Sequence, residues 1–239
     1  MNGEMAHMYE VVCSAKKAIV GNCKIGEIDE KYITKTEFIF LPKKVTLLKK
    51  EVIANSVGEW YELCLERGLV DIKLMMPTKV ENRMILGFAN ASQASVVCFW
   101  KNKKVTYFVP KWEMNRERNG WEVVYQEWEW KKAPSGRPVY EDQTEEFKQV
   151  LIEIEALAKK IGATNFAKIF HDAYDYLDAG QIFEAVCKAD VFGGMGSWND
   201  DPSGMAYNKG LESKYNELSN RLAEQMRYHL MYVANELQH

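Results

Sequence analysis

Apolar residues recur along this chain in two rhythms, and the change from one to the other divides it. Met5, Met8, Tyr9, Val12 and Ala15 follow i, i+3, i+4 spacing and predict a helix over residues 1–20. Lys31–Leu41, rich in Ile, Thr and Phe and closed by Pro42, reads as a strand. Helical spacing returns over Lys44–Arg67, where Leu48, Val52, Ile53, Val57, Trp60, Tyr61 and Cys64 share a face and Gly68 stands at the C-cap position. Gly58 lies within that run, and a mid-helix glycine costs about 1 kcal/mol. Leu69–Met76 follows as a short strand ended by Pro77.

From Arg83 to Trp130 the pattern is strand-like, with segments at Met84–Ala89, Ala94–Trp100, Val105–Pro110 and Trp121–Trp130. Asn119-Gly120 favours a type I′ turn closing a hairpin between Lys111–Arg118 and Trp121–Trp130. On the last strand Val124, Gln126, Trp128 and Trp130 alternate with Val123, Tyr125, Glu127 and Glu129. Residues 131–138, with two prolines and a glycine, break both rhythms and read as a linker.

Beyond the linker the rhythm is helical. Asp142 with Glu145 resembles a capping box, and Phe147, Val150, Leu151, Ile154, Leu157, Ala158 and Ile161 follow in register up to Gly162. Further helices are predicted from Thr164 to Gly180, over Gln181–Lys188, and from Lys209 to Leu237. Short connections between amphipathic helices imply antiparallel neighbours. The fold expected is α+β: an antiparallel β-meander with covering helices in residues 1–138, then a small antiparallel helical bundle in residues 139–239.

Charge sharpens that division. Residues 1–138 carry 22 Lys and Arg against 17 Asp and Glu, and residues 139–239 carry 9 against 17. Six of the seven tryptophans fall in the first part. The five cysteines are scattered singly, which argues against a disulfide framework or a zinc site and for reduced thiols. No apolar run approaches the roughly 18–20 residues that cross a bilayer, and residues 1–9 lack a signal-peptide apolar core. A soluble cytoplasmic protein is expected, with no membrane contact.

Between two helical segments stands Gly193-Gly194-Met195-Gly196-Ser197-Trp198-Asn199-Asp200. Its glycines permit tight backbone, and Trp198 is expected to plug the end of the bundle while Asn199 or Asp200 caps local N–H groups. A phosphate site is disfavoured by the missing GxGxxG and Gly-Lys-Ser/Thr patterns and by Asp200 and Asp201. Asp172, Asp175 and Asp178 recur every third residue beside His171, but no Glu-x-x-His or His-x-x-x-His spacing accompanies them, so a solvated acidic face is expected rather than a metal site. His229 reads as a hydrogen-bonded core residue. Cys187 is the thiol nearest the glycine-rich loop and reads as buried and inert. No nucleophile motif surrounds any serine, so no catalytic residue, cofactor or metal is assigned.

The segment from Phe170 to Asp200 resembles an uncharacterised family of small bacterial proteins with a helix–helix–"FGGMGSFND"–helix arrangement, Trp198 here replacing the phenylalanine. The similarity covers about the last hundred residues. It implies a fold and a bacterial origin, and some such proteins stand beside secreted toxins, which implies an immunity role.

Trp112, Trp121, Trp128 and Trp130 lie among Lys101, Lys103, Lys104, Lys111, Arg116 and Arg118, the ingredients of a nucleic-acid platform. Interleaved Glu113, Glu117, Glu122, Glu127 and Glu129 cancel most of that field, and nucleic acid is disfavoured. The function expected is binding of a protein partner, including a basic toxin attracted by the acidic bundle. Trp198, Asn199, Asp200 and Asp201 are the first candidate contacts, and Trp112 with Trp128 the second. The alternatives are a small-molecule-binding protein or enzyme with a site between the two regions, and a homo-oligomer.

Overall fold

The computed structural model describes residues 1–42, 52–133 and 135–237. Among them the chain is a mixed α+β structure with six strands and seven α-helices. Helix α1 (Gly3–Gly21) leads to β1 (Ile33–Phe40), β2 (Val52–Ala54), α2 (Val57–Glu66) and β3 (Leu69–Met75). Strands β4 (Ser95–Trp100), β5 (Val105–Met114) and β6 (Trp121–Glu129) precede α3 (Thr144–Ile161), α4 (Thr164–Asp178), α5 (Ile182–Ala189), α6 (Asp201–Asn208) and α7 (Glu212–Glu236). None of the described helices is long and apolar enough to cross a membrane.

Two compact units emerge. A sheet unit comprises Gly3–Met76, Gln93–Val139 and Ala234–His239, and a helical unit comprises Met1–Asn2, Pro77–Ser92 and Tyr140–Val233. The chain passes from the sheet unit to the helical unit between Val139 and Tyr140, and Pro77–Ser92 lies with the helices rather than with the rest of residues 1–138. Its expected strand at Met84–Ala89 is absent; a 3-10 turn at Arg83–Ile85 stands there, started by Asn82, whose side chain accepts the Met84 N–H at 3.0 Å. Arg227 of α7 closes the segment at both ends, donating Nε to Pro77 O at 2.6 Å and Nη2 to Ser92 O. One buried guanidinium thus donates to two loop carbonyls at once.

The sheet runs in the order β2-β1-β6-β5-β4-β3, every neighbouring pair antiparallel except β1 with β6. One face carries Phe38, Phe40, Phe108 and Tyr125, all fully buried against Trp60 of α2. Phe38 stacks on Tyr125 at 4.5 Å and on Trp60 at 4.8 Å, and Phe108 meets Phe38, Phe40 and Trp60 edge-on. Such pairs add about 0.5–1.5 kcal/mol each beyond the area they bury.

Four local expectations are corrected. The helix expected over Lys44–Arg67 begins only at Val57. Ser56 caps it, accepting the Glu59 N–H at 3.1 Å, while Glu59 reaches back to the Asn55 N–H at 2.7 Å. Val52 and Ile53 belong to β2, and residues 44–51 of that expectation lie outside the described residues. Gly58 therefore occupies the first turn, where the mid-helix penalty does not apply.

The hairpin forms, with Met114 opposite Trp121, but not through a two-residue turn at Asn119-Gly120. Asn115 N–H bonds Gly120 O at 2.9 Å and a four-residue loop lies between, with Arg118 at φ 56°. Gly120 is required for a different reason: a Cβ there would stand 2.5 Å from Thr34 Cγ2 on the neighbouring strand.

Asp142 makes no capping box. It accepts the Thr144 N–H at 2.8 Å as an Asx turn ahead of α3, which holds its carboxyl below the usual range, chiefly through Thr144. The long helix expected from Lys209 starts at Glu212, and the separate α6 before it carries Pro202 in its first turn, where proline is suited.

At the β3 edge, the Asn235 amide accepts the Leu74 N–H at 2.9 Å and donates to Leu74 O at 2.8 Å, taking the place of a further strand. Lys16 donates to Asn235 O at 2.7 Å, and Lys73 pairs with Glu236 at 2.8 Å. Burial lowers the Lys16 pKa.

Candidate functional site

In the helical unit the glycine-rich loop joins α5 to α6, and its Trp198 and Asn199 turn inward. Trp198 is fully buried. Its indole donates to Ser219 Oγ at 2.8 Å, its ring lies 5.0–5.3 Å from Phe166, Phe170 and Tyr215, and its carbonyl accepts from the Tyr215 hydroxyl. Its backbone N–H bonds Val191 O at 2.9 Å, closing the loop on itself.

Asn199 is buried too, and its amide clasps Arg83. Nδ2 donates to Arg83 O at 3.2 Å, and Oδ1 accepts from the Arg83 guanidinium. Arg83 also donates to Asn216 Oδ1 at 2.9 Å and to the Tyr215 hydroxyl at 3.4 Å, lying 5.0 Å over that ring. All these partners are neutral, and no carboxylate pairs with Arg83 among the described residues. An arginine cannot release its proton to escape such a site, so the loop is clamped by a permanent cation.

The loop and the Arg83–Phe88 segment meet closely. Gly87, at φ 91°, lies where a Cβ would stand 2.5 Å from Phe192 O, so only glycine fits. Gly194 lies against the Phe88 ring, its Cβ position 3.5 Å from Cζ. Asp190, at the start of the loop, accepts the Asn2 N–H at 2.8 Å, and burial raises its pKa. Asp200 accepts the Gly196 N–H at 2.8 Å, and Asp201 opens α6; both are exposed.

What remains outward is apolar. Met195 is 98 % exposed at the loop's tip, and Met84, Ile85 and Phe88 are about half exposed on the facing segment. Beside them Ile169, Val191, Phe192 and Met195 line an open recess of about 550 Å³. Of the four expected loop contacts, Trp198 and Asn199 are buried and offer a partner no surface, whereas Asp200 and Asp201 do. The outward residues Met84, Ile85, Phe88 and Met195 were missed, because an apolar residue in a sequence is read as core unless its neighbours forbid it. Gly87 and the lack of alternation around it were the available signal.

The second candidate pair is not brought together. Trp112 is buried edge-on to His7 at 5.8 Å and to Trp121 at 5.9 Å, whereas Trp128 is exposed on the opposite face of the sheet. Trp112 stands across from Val123 and Trp128 from Tyr107, which fixes the two on opposite sides.

The acidic ladder on α4 is spent on ion pairs. Asp172 meets Lys188 at 2.8 Å, Asp178 meets Lys148 at 3.0 Å, and His171 lies between Glu155 at 3.3 Å and Asp175 at 3.8 Å. No three His, Cys, Asp or Glu side chains gather to hold a metal ion among the described residues. Burial pushes the Cys187 thiol up, keeping it protonated at neutral pH. His229 is fully buried, with Nδ1 2.8 Å from Gln225 O and its ring against Phe147.

No protein-family profile matches the chain, and no curated protein or solved structure matches it either.

Proposed function

We propose that the chain is a protein-binding module whose contact face is the apolar ridge formed by Met195 and Phe88 with Met84 and Ile85. The observation that carries this reading is the contrast at the loop: Met195 is 98 % exposed while Trp198, three residues on, is fully buried. A loop that buries its tryptophan and still holds a methionine in water is anchored, not loose. Binding there would cost little ordering entropy, and burying one such side chain supplies about 1.5–3 kcal/mol. Methionine adapts to irregular partner surfaces.

In this reading the C-terminal helices act as a small antiparallel bundle holding the ridge. The excess of acids over residues 139–239 favours a basic partner, and a toxin neutralised by an immunity protein is the form of partner that the resemblance around the loop supports. The test is affinity capture from a lysate of the source organism, comparing the native chain with Met195→Asp. A stoichiometric protein released by high salt and lost with the variant, whose circular dichroism is unchanged, is the expected result. A protein captured equally by both chains rules out this face.

A further inference from the structure

One face of the sheet buries Phe38, Phe108 and Tyr125, and alternation puts the intervening residues of β1, β5 and β6 on the other. That second face is open, yet much of it is apolar: Ile39, Ile53, Tyr107, Val109, Val124 and Trp128 are exposed or half-buried there. A solvated sheet face ordinarily carries polar side chains. Strand propensity does not call for apolar ones, because threonine also serves it.

The ladder sets these residues in rows across β1, β6 and β5. Ile39, Gln126 and Val109 form one row, continued on β2 by Ile53, and Trp128 lies beside Tyr107 in the next. Toward the other end come Glu37, Val124 and Lys111, then Lys35, Glu122 and Glu113. The two outer strands therefore carry opposite charges in each of these last rows. Within its own strand Lys35 pairs with Glu37 at 3.0 Å, and Lys111 with Glu113 at 2.5 Å.

A two-fold axis along β6 turns this face onto itself, so that β1 of one copy meets β5 of the other. Glu37 then meets Lys111 of the second copy, Lys35 meets its Glu113, and Ile39 meets its Val109. On the axis Trp128, Gln126 and Val124 meet their own counterparts, and an amide both donates and accepts. Aligned sheets cross at about 30°, which displaces a residue one strand from the axis by about 2–3 Å, within a lysine's reach. Of these residues only Glu122 meets a like charge, its own counterpart at the rim.

We propose that this face docks a second copy of the chain, as a symmetric sheet-on-sheet dimer with Trp128 on its axis. The row-by-row match of charges selects a copy of the same face over a uniformly basic or acidic partner. The face measures roughly 20 Å along the strands and about 15 Å across four of them. That is small for a permanent interface, so the dimer exchanges with monomer.

The test is sedimentation equilibrium of the full chain over roughly 1–300 μM, a range suited to weak interfaces. A monomer–dimer equilibrium is expected. Trp128→Lys sets two cations face to face on the axis and weakens dimerisation at least about tenfold, a change of about 1.4 kcal/mol. Lys111→Glu opposes Glu37 of the second copy, twice by symmetry, and weakens dimerisation roughly three- to tenfold. Adding Glu37→Lys restores it, because the exchanged charges meet again across the axis. Within one chain that double exchange places like charges side by side on each strand, so recovery identifies the second copy as the partner. Glu122→Gln tightens the dimer. Met195→Asp leaves it unchanged, which separates this face from the apolar ridge. A monomer throughout the range, a dimer indifferent to Trp128→Lys, or no recovery in the double exchange overturns the proposal. Association abolished by Met195→Asp overturns it too, by moving the self-contact to the ridge.

Discussion

The two units solve the same problem, satisfying buried polar backbone, by different means. In the sheet unit the ladder does most of the work, and one side chain repairs what it leaves open: the Asn235 amide pairs with both backbone groups of Leu74 on the edge strand. In the helical unit two irregular segments lie side by side, and arginines hold them. Arg227 ties the ends of Pro77–Ser92, and Arg83 joins its middle to the glycine-rich loop. A strand is specified by alternation repeated over many residues. A clamped loop is specified by a few particular side chains, so damage should concentrate there.

The largest effect expected is from Trp198→Ala. It removes a fully buried indole, its bond to Ser219 and three aromatic contacts, and should cost about 3–5 kcal/mol in urea denaturation. Trp128→Ala, on the open face of the sheet, should change stability by less than about 0.5 kcal/mol. Comparable losses in the two variants would break the distinction between plug and surface. Next comes Arg227→Met, which keeps the bulk and removes the guanidinium bonds to Pro77 O and Ser92 O, at about 2–4 kcal/mol. Arg227→Lys should recover little of this, because a single ammonium lacks the planar fork that reaches both carbonyls. Full recovery by lysine would show that charge, not geometry, closes the segment.

This contrast also explains what could be read in advance. Strands β1, β3, β4 and β6 and helices α1, α3 and α4 were legible because their apolar positions repeat at the right interval. The parallel pairing of β1 with β6 was not, since alternation says which face is buried and nothing about which neighbour is chosen. Helix α6 was hidden by Pro202 and Gly204, which read as loop residues although proline is at home in a first helical turn. At the loop, burial of Trp198 followed from its size. The clasp between Asn199 and Arg83 spans 116 positions and leaves no local trace. The strand expected at Met84–Ala89 fails for a related reason: clamping from both ends lets the apolar side chains of Met84, Ile85 and Phe88 stay in water.

A smaller effect is expected at the sheet edge. Asn235→Leu deletes both bonds to Leu74 and should cost about 1–3 kcal/mol. The telling measurement is hydrogen exchange at the Leu74 amide, which should lose protection while amides of β5 and β6 keep theirs. Uniform loss across the sheet would mean that Asn235 supports the whole unit rather than its edge.

The smallest effect separates the units by pH. Burial lowers the His229 pKa below its ordinary 6.5, outweighing the Gln225 carbonyl, Asp142, the Gln143 backbone and Glu146, which all favour the charged ring. The unfolded chain therefore binds a proton at a higher pH than the folded one. Stability from this residue is complete above about pH 6.5 and is lost as pH falls from there through the folded pKa. Burial raises the Asp190 pKa. The folded helical unit thus takes up that proton before the unfolded chain does, and stability gained at Asp190 partly offsets the loss as the medium becomes more acidic. In the sheet unit, Glu30 has a lowered pKa, chiefly through its contact with His7, so its contribution is lost only below the ordinary carboxylate range. Thermal denaturation followed at Trp198 should thus decline between pH 7 and pH 5 more than denaturation followed at Trp60, and His229→Phe should flatten the decline. An identical pH profile from both reporters would mean that the units unfold as one, whatever their separate means of holding the chain.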